Sequence, residues 1–140
     1  MPNINISISQ LPNAMDKLSL NIIKAFDKSV KNYVVENVAS ITDLSPIDTT
    51  LYRSNHHVSI NQKSNDESHV KGPGEVINLA TNKVKSYKST RDNRIFIQNN
   101  LDYSENLENG GSKQAPIGVY KIALAHTKFD FKKEDLENGN

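Results

Sequence analysis

The chain has 140 residues, 17 basic and 16 acidic side chains, 36% hydrophobic residues and no cysteine. Near-balanced charge excludes a global field that would draw nucleic acid or an anionic membrane, and the lack of cysteine removes disulfides, thiolate nucleophiles and cysteine zinc sites together. No apolar run approaches the ~20 residues that span a bilayer, and MPNINISISQLP has neither the basic nor the apolar region of a signal peptide, so a soluble product made in a cytoplasm is expected. The length suits one domain over residues 1–129 with a charged tail over 130–140. A small hydrophobic fraction implies a small core, part of whose apolar surface a partner would complete.

In chain order, residues 2–10 alternate Ile4, Ile6 and Ile8 with Asn and Ser. This period of two predicts a strand, expected in the domain's own sheet, with pairing to a neighbouring subunit as the alternative. From Asn13 to about Thr42 the apolar positions Met15, Leu18, Ile22, Phe26, Val30, Tyr33, Val34, Val38 and Ile41 recur every three or four residues, which is one helix face. Pro12 lies just outside the start, Asn13 is the expected cap, and Pro46 forbids continuation past about Ser45. Such a helix is roughly 40 Å long, more than a core of this size needs, so its ends are expected to reach a neighbour.

Asp48 and Thr49 are predicted to cap a helical turn at Leu51–Arg53. Val58 and Ile60 alternate with polar residues and predict a strand from about His56 to Asn61. Gln62–Gly74 is polar and ends in Gly-Pro-Gly, a long hairpin tip or mobile loop. Val76, Leu79, Ala80, Val84 and Tyr87 predict a helix over 75–88, and Ile95–Ile97 a short strand. Asn99-Asn100 break that strand, Leu101–Asn109 read as a short helix, and Gly110-Gly111 stop it. After Pro116, the residues Val119, Ile122, Ala123, His126 and Phe129 fit another helix face with Pro in its first turn; a strand over Val119–Ala125 is the alternative. The tail is expected to fray.

Chemistry is sparse along this chain. His56 and His57 are neighbours in a predicted strand, so they point to opposite faces and cannot share one ion. No G-x-S-x-G, H-E-x-x-H or Walker pattern is present. Gly72-Pro73-Gly74 lacks an amide donor at Pro73 and is no phosphate loop, and Asp48, Asp66 and Glu67 lack the spacing of a calcium loop. No catalytic residue, metal site or cofactor is expected. Lys83, Lys85, Lys88, Arg91 and Arg94 form a basic cluster, read as the solvated face of a helix and its turn or as a contact surface for DNA or an acidic ring.

Two stretches carry a resemblance. The segment Ser45–Asn55 and the segment Asn99–Gly118 resemble the small neck or tail-completion proteins of tailed bacteriophages. Members of that family carry T-P-V-D-T-G-x-L-R-x-S-W after a long first helix, then N-N-L-P-Y-A-x-x-L-E-x-G-x-S-x-Q-A-P-x-G. The first pattern is matched at Pro46, Asp48, Thr49, Arg53 and Ser54. The second is matched at Asn99, Asn100, Leu101, Tyr103, Leu107, Glu108, Gly110, Ser112, Gln114, Ala115, Pro116 and Gly118. Thr50 replaces a family Gly, His56 a Trp and Asp102 a Pro. A left-handed backbone at Thr50 would therefore be absent or strained.

The expected fold is α+β: a long N-terminal helix on a small, mostly antiparallel sheet with two or three shorter helices. In it Asp48 and Thr49 cap the first corner, and Arg53 ties it to a carboxylate such as Glu108. Tyr103 and Leu107 bury one side of the short helix, Gly110 ends it, and Gln114 to Pro116 fix the angle of the next element. The resemblance implies a structural virion protein: a homo-oligomeric ring, most simply a hexamer, in the neck. It would complete or terminate the tail and meet head-connector or stopper and tail-tube proteins, with genome DNA passing through the lumen without sequence-specific binding. The alternative is a small nucleic-acid-binding or host-modulating protein that uses the basic cluster at 83–94.

Overall fold

The computed structural model describes residues 11–47, 50–90 and 92–131, with side chains from Asp16 onward. The elements in order are α1 (Leu11–Leu44), β1 (His57–Ile60), α2 (Pro73–Val84), β2 (Ile95–Gln98), α3 (Ser104–Glu108) and α4 (Tyr120–His126). This is the expected α+β arrangement, with one long helix, a two-stranded antiparallel sheet and three shorter helices. The expected strand over 2–10, the caps Asp48 and Thr49, Arg91 and the tail from 132 lie outside the described residues, while Asn13, expected as the cap of the long helix, lies inside α1, which starts two residues earlier.

Helix α1 runs for 34 residues, about 51 Å at ~1.5 Å per residue. It begins before Pro12 rather than after it, and a proline in the first turn loses no intrahelical hydrogen bond. Polar residues on its buried face are satisfied within the helix. Ser29 Oγ, Asn37 Nδ2 and Thr42 Oγ1 each donate to the carbonyl four residues back, at 3.0, 2.9 and 2.7 Å. Burying a hydroxyl or amide costs little when its partner is so local.

The core is built from small side chains. Val34 and Val38 of α1 pack against Val58 of β1 and Val76, Ala80 and Val84 of α2, with Ile95 and Ile97 of β2 alongside. A second cluster joins Ile41, Tyr52, Leu101, Ala115, Val119 and Ala123, with Leu107 and Tyr120 against it. Each buried valine contributes roughly 1.5–3 kcal/mol. The sheet pairs His57 with Gln98 through Ile60 with Ile95.

Several expectations are corrected here. Strands β1 and β2 are joined through α2, so Gln62–Gly74 is no hairpin tip. Nor does it hang free, because side chains from distant elements take up its backbone groups. Ser64 N donates to Gln98 Oε1 at 2.9 Å, Ser68 N to Asn55 Oδ1 at 2.6 Å and Lys71 N to Ser54 Oγ at 2.8 Å, while Asn100 Nδ2 donates to Asp66 O at 2.9 Å. Pro73 opens α2, and Tyr87, expected on its face, is buried in the turn beyond its end. Pro116 does not begin a helix: residues 112–118 form successive turns, and Gly118 at φ +91° precedes α4. Val119–Ala125 is not a strand. Phe129 lies past α4 and packs its ring 5.7 Å from those of Phe26 and Tyr33.

Candidate functional site

The two motif segments meet at one corner of the fold, where polar side chains are spent on backbone partners. Asn99 Nδ2 donates to Tyr52 O at 2.9 Å, its Oδ1 accepts from Leu101 N at 3.1 Å, and its carbonyl accepts from Ser104 Oγ at 3.0 Å. One asparagine thus joins the first motif to the second and starts the turn into α3. Gln114 Oε1 accepts from Ile47 N at 2.9 Å and fastens the two motifs at their other ends.

Glu108 is the capping residue of α4. Its carboxylate accepts the backbone N–H groups of Val119, Tyr120 and Lys121 at 3.0, 2.9 and 3.0 Å, which are among the orphan donors of a helix start. Burial pushes this carboxyl up, but the three N–H donors and the Lys121 charge together hold it below its ordinary value. Two glycines make room for the arrangement. A Cβ on Gly118 would stand 2.5 Å from Glu108 O, and one on Gly110 (φ +92°) would stand 2.6 Å from Pro116 O.

The expected Arg53–Glu108 pair is therefore not formed. Arg53 Nη2 lies 4.0 Å from Asp43 Oδ1, and its buried Nε has no hydrogen-bond partner. The carboxylate expected for it is taken by a helix terminus. Thr50 adopts φ +58°, so the left-handed backbone a family glycine would supply is present and carried by a β-branched residue, a strained choice.

His56 holds a buried polar relay that sequence reasoning missed. It is 4% exposed, its Nε2 lies 2.7 Å from Ser45 Oγ and its Nδ1 lies 2.9 Å from Tyr120 Oη. Ser45 Oγ donates to Ile41 O at 2.6 Å, so the hydroxyl accepts from Nε2–H and leaves Nδ1 to accept from Tyr120. One neutral tautomer satisfies all three groups. Burial, then the neighbouring His57, pushes the His56 pKa down to about 3. Its ring also meets Tyr52 edge-on at 5.0 Å, so it fills an aromatic position with a smaller ring.

Tyr103 is not buried as expected. It is 40% exposed and, with Pro46, Leu51, Tyr52, Leu107 and Gln114, lines an open cleft of about 640 Å³. Asn100 ties the 62–71 segment, and Pro116 is exposed in its turn.

Lys83, Lys85, Lys88 and Arg94 are all exposed, spread from the last turn of α2 over the connector to β2 rather than along one helix. That connector is fastened to α1, since Asp27 accepts from Ser89 N and Lys31 Nζ donates to Lys85 O. Among the described residues no cluster of three or more His, Asp or Glu could hold a metal ion, and no helix is long and apolar enough to cross a membrane.

The least satisfied surface is the start of α1. From Asp16 to Lys24 every side chain is exposed except the half-buried Asn21, and Ala25 is the first fully covered residue. About 14 Å of helix, residues 16–24, thus extends past the core at ~1.5 Å per residue. It carries Leu18 and Leu20, each more than half exposed, with Ile22 and Ile23 also open to solvent. No protein-family model matches the chain, and no curated protein or solved structure is significantly similar to it.

Proposed function

We propose that this chain is a structural, non-catalytic virion protein of a tailed phage. Copies assemble in the host cytoplasm into a ring, most simply of six, in the neck. The ring completes or terminates the tail and joins it to the head connector, and DNA passes through its lumen without sequence-specific contacts. The motif resemblance supplies the identity of the assembly. The observation that carries self-association is the apolar projecting start of α1, because scattered single apolar residues are ordinary on a monomer but a helix end with four of them is not.

Light scattering on the purified full-length chain tests the reading. A closed multi-subunit mass, and co-assembly with connector or tail-tube proteins, is the expected result. A monomer that binds DNA with steep salt dependence would instead favour a nucleic-acid-binding role for the cluster Lys83, Lys85, Lys88, Arg91 and Arg94.

A further inference from the structure

Among the described residues, nothing pairs with the side of β2 that faces away from β1. Asn61 N donates to Arg94 O, and in the observed register this makes Ser59–Phe96 and His57–Gln98 the hydrogen-bonded pairs. The N–H and C=O groups of Ile95 and Ile97 therefore point away from β1. No described residue hydrogen-bonds to them, so they form an unpaired edge.

A groove of about 410 Å³ runs along that edge, lined by Tyr33 and Ile41 of α1, Ile95 and Ile97 of β2, and Tyr120 and Leu124 of α4. No β1 residue lines it. A third strand laid against β2 would place alternate side chains into this apolar groove and the others toward solvent. Residues 3–9, NINISIS, have that pattern: Ile4, Ile6 and Ile8 alternate with Asn and Ser, and the segment carries no charge that burial would penalise.

The segment cannot lie along the groove of its own chain with all three isoleucines in it. Tyr33, where the groove begins, lies about 33 Å along α1 from Leu11 at ~1.5 Å per residue. Ile4 precedes Leu11 by seven residues and reaches at most about 25 Å from it even at full extension of ~3.5 Å per residue; Ile6 and Ile8 reach less.

We propose that residues 3–9 of one copy add as a third strand to the β2 edge of a neighbouring copy, with Ile4, Ile6 and Ile8 in the groove between α1 and α4. This rests on the self-assembly reading above and supplies its connection. The donated strand and the accepting groove are different surfaces, so each copy both gives and receives, and the contact propagates until a rotation closes it.

The native lack of cysteine makes the test direct. Two full-length single-cysteine variants, Ile6→Cys and Leu124→Cys, are mixed, oxidised and run on a non-reducing gel, with circular dichroism confirming that both fold. Leu124 is 61% exposed, so the thiol there is accessible. A disulfide-linked heterodimer several-fold above the dimer formed by either variant alone is expected, and the doubly substituted chain should give a ladder of linked copies. A doubly substituted chain that instead closes on itself as a bridged monomer would overturn the exchange. No bridge, in a chain that light scattering shows to assemble, would overturn the strand proposal and leave the ring reading standing. A chain monomeric at every concentration would overturn both.

Discussion

The motif corner and the projecting start of α1 use their residues in opposite ways. At the corner, Asn55, Asn99, Glu108 and Gln114 are polar side chains whose partners are backbone groups of the same subunit. Along the first turns of α1, Leu18, Leu20, Ile22 and Ile23 are apolar side chains left in water. A region whose polar groups, Arg53 Nε apart, are answered from within needs little from outside. A region that exposes what water disfavours is completed by something else. On the proposed reading the corner serves stability and the helix end association, and substitutions on each side can break or sharpen that division.

The largest effect is expected at Gly118. Alanine there must keep φ +91° and fit a Cβ 2.5 Å from Glu108 O, so Gly118→Ala should lower stability by about 3 kcal/mol through strain and loss of the α4 cap. Denaturant unfolding measures it, and a midpoint near wild type would mean that the corner is not the stabilising region.

Acid should act on the same corner through His56. Its pKa in the folded chain is about 3, against an ordinary 6.5. The unfolded chain therefore takes up this proton first. Stability is complete above about pH 6.5 and falls as pH drops toward the folded value, by about 1.4 kcal/mol per unit once well below 6.5. At pH 4.5 the loss from His56 is about 2–3 kcal/mol, and His56→Gln should reduce the slope between pH 5 and 6.5, leaving the part owed to His57, whose pKa burial also pushes down. Glu108 adds to acid sensitivity only lower down, because its depressed carboxyl contributes above its unfolded value and loses that contribution as pH falls through the folded one.

Smaller changes sharpen the picture. Glu108→Gln keeps one acceptor but loses the charge that three N–H groups share, and should cost about 1 kcal/mol, as cap losses do. Thr50→Gly should stabilise by about 0.5–1 kcal/mol, since relief of a left-handed threonine exceeds the entropy glycine adds to the unfolded chain. Both are read from thermal or denaturant midpoints.

The spacing of apolar residues made α1 and the core of α2 legible, because a helix face repeats locally and needs no partner to be recognised. It misled at Tyr87 and Phe129, which continue the helical spacing but sit beyond helix ends; the chain there still folds against the core, so the apolar pattern outlasts the helix. The hydrogen-bond scheme was not legible. Charge suggested Arg53 for Glu108, yet the carboxylate sits under the α4 terminus, and only tertiary proximity brings residue 108 to residues 119–121. The left-handed backbone at Thr50 was only half legible, since the sequence left it open whether that conformation was absent or strained. The tied course of 62–71 was not, because its polar residues look alike whether solvated or held by Asn55 and Gln98.

The central claim is that the start of α1 associates while the corner stabilises. The direct measurement is light scattering beside denaturant unfolding for the full-length chain and for a variant carrying Leu20→Ser and Ile23→Ser. The account predicts a multi-subunit mass for the native chain, a clearly lower mass for the variant at the same concentration, and an intrinsic subunit stability changed by no more than about 0.5 kcal/mol per site. An unchanged assembly mass in the variant, or a native chain that is itself monomeric, would contradict it.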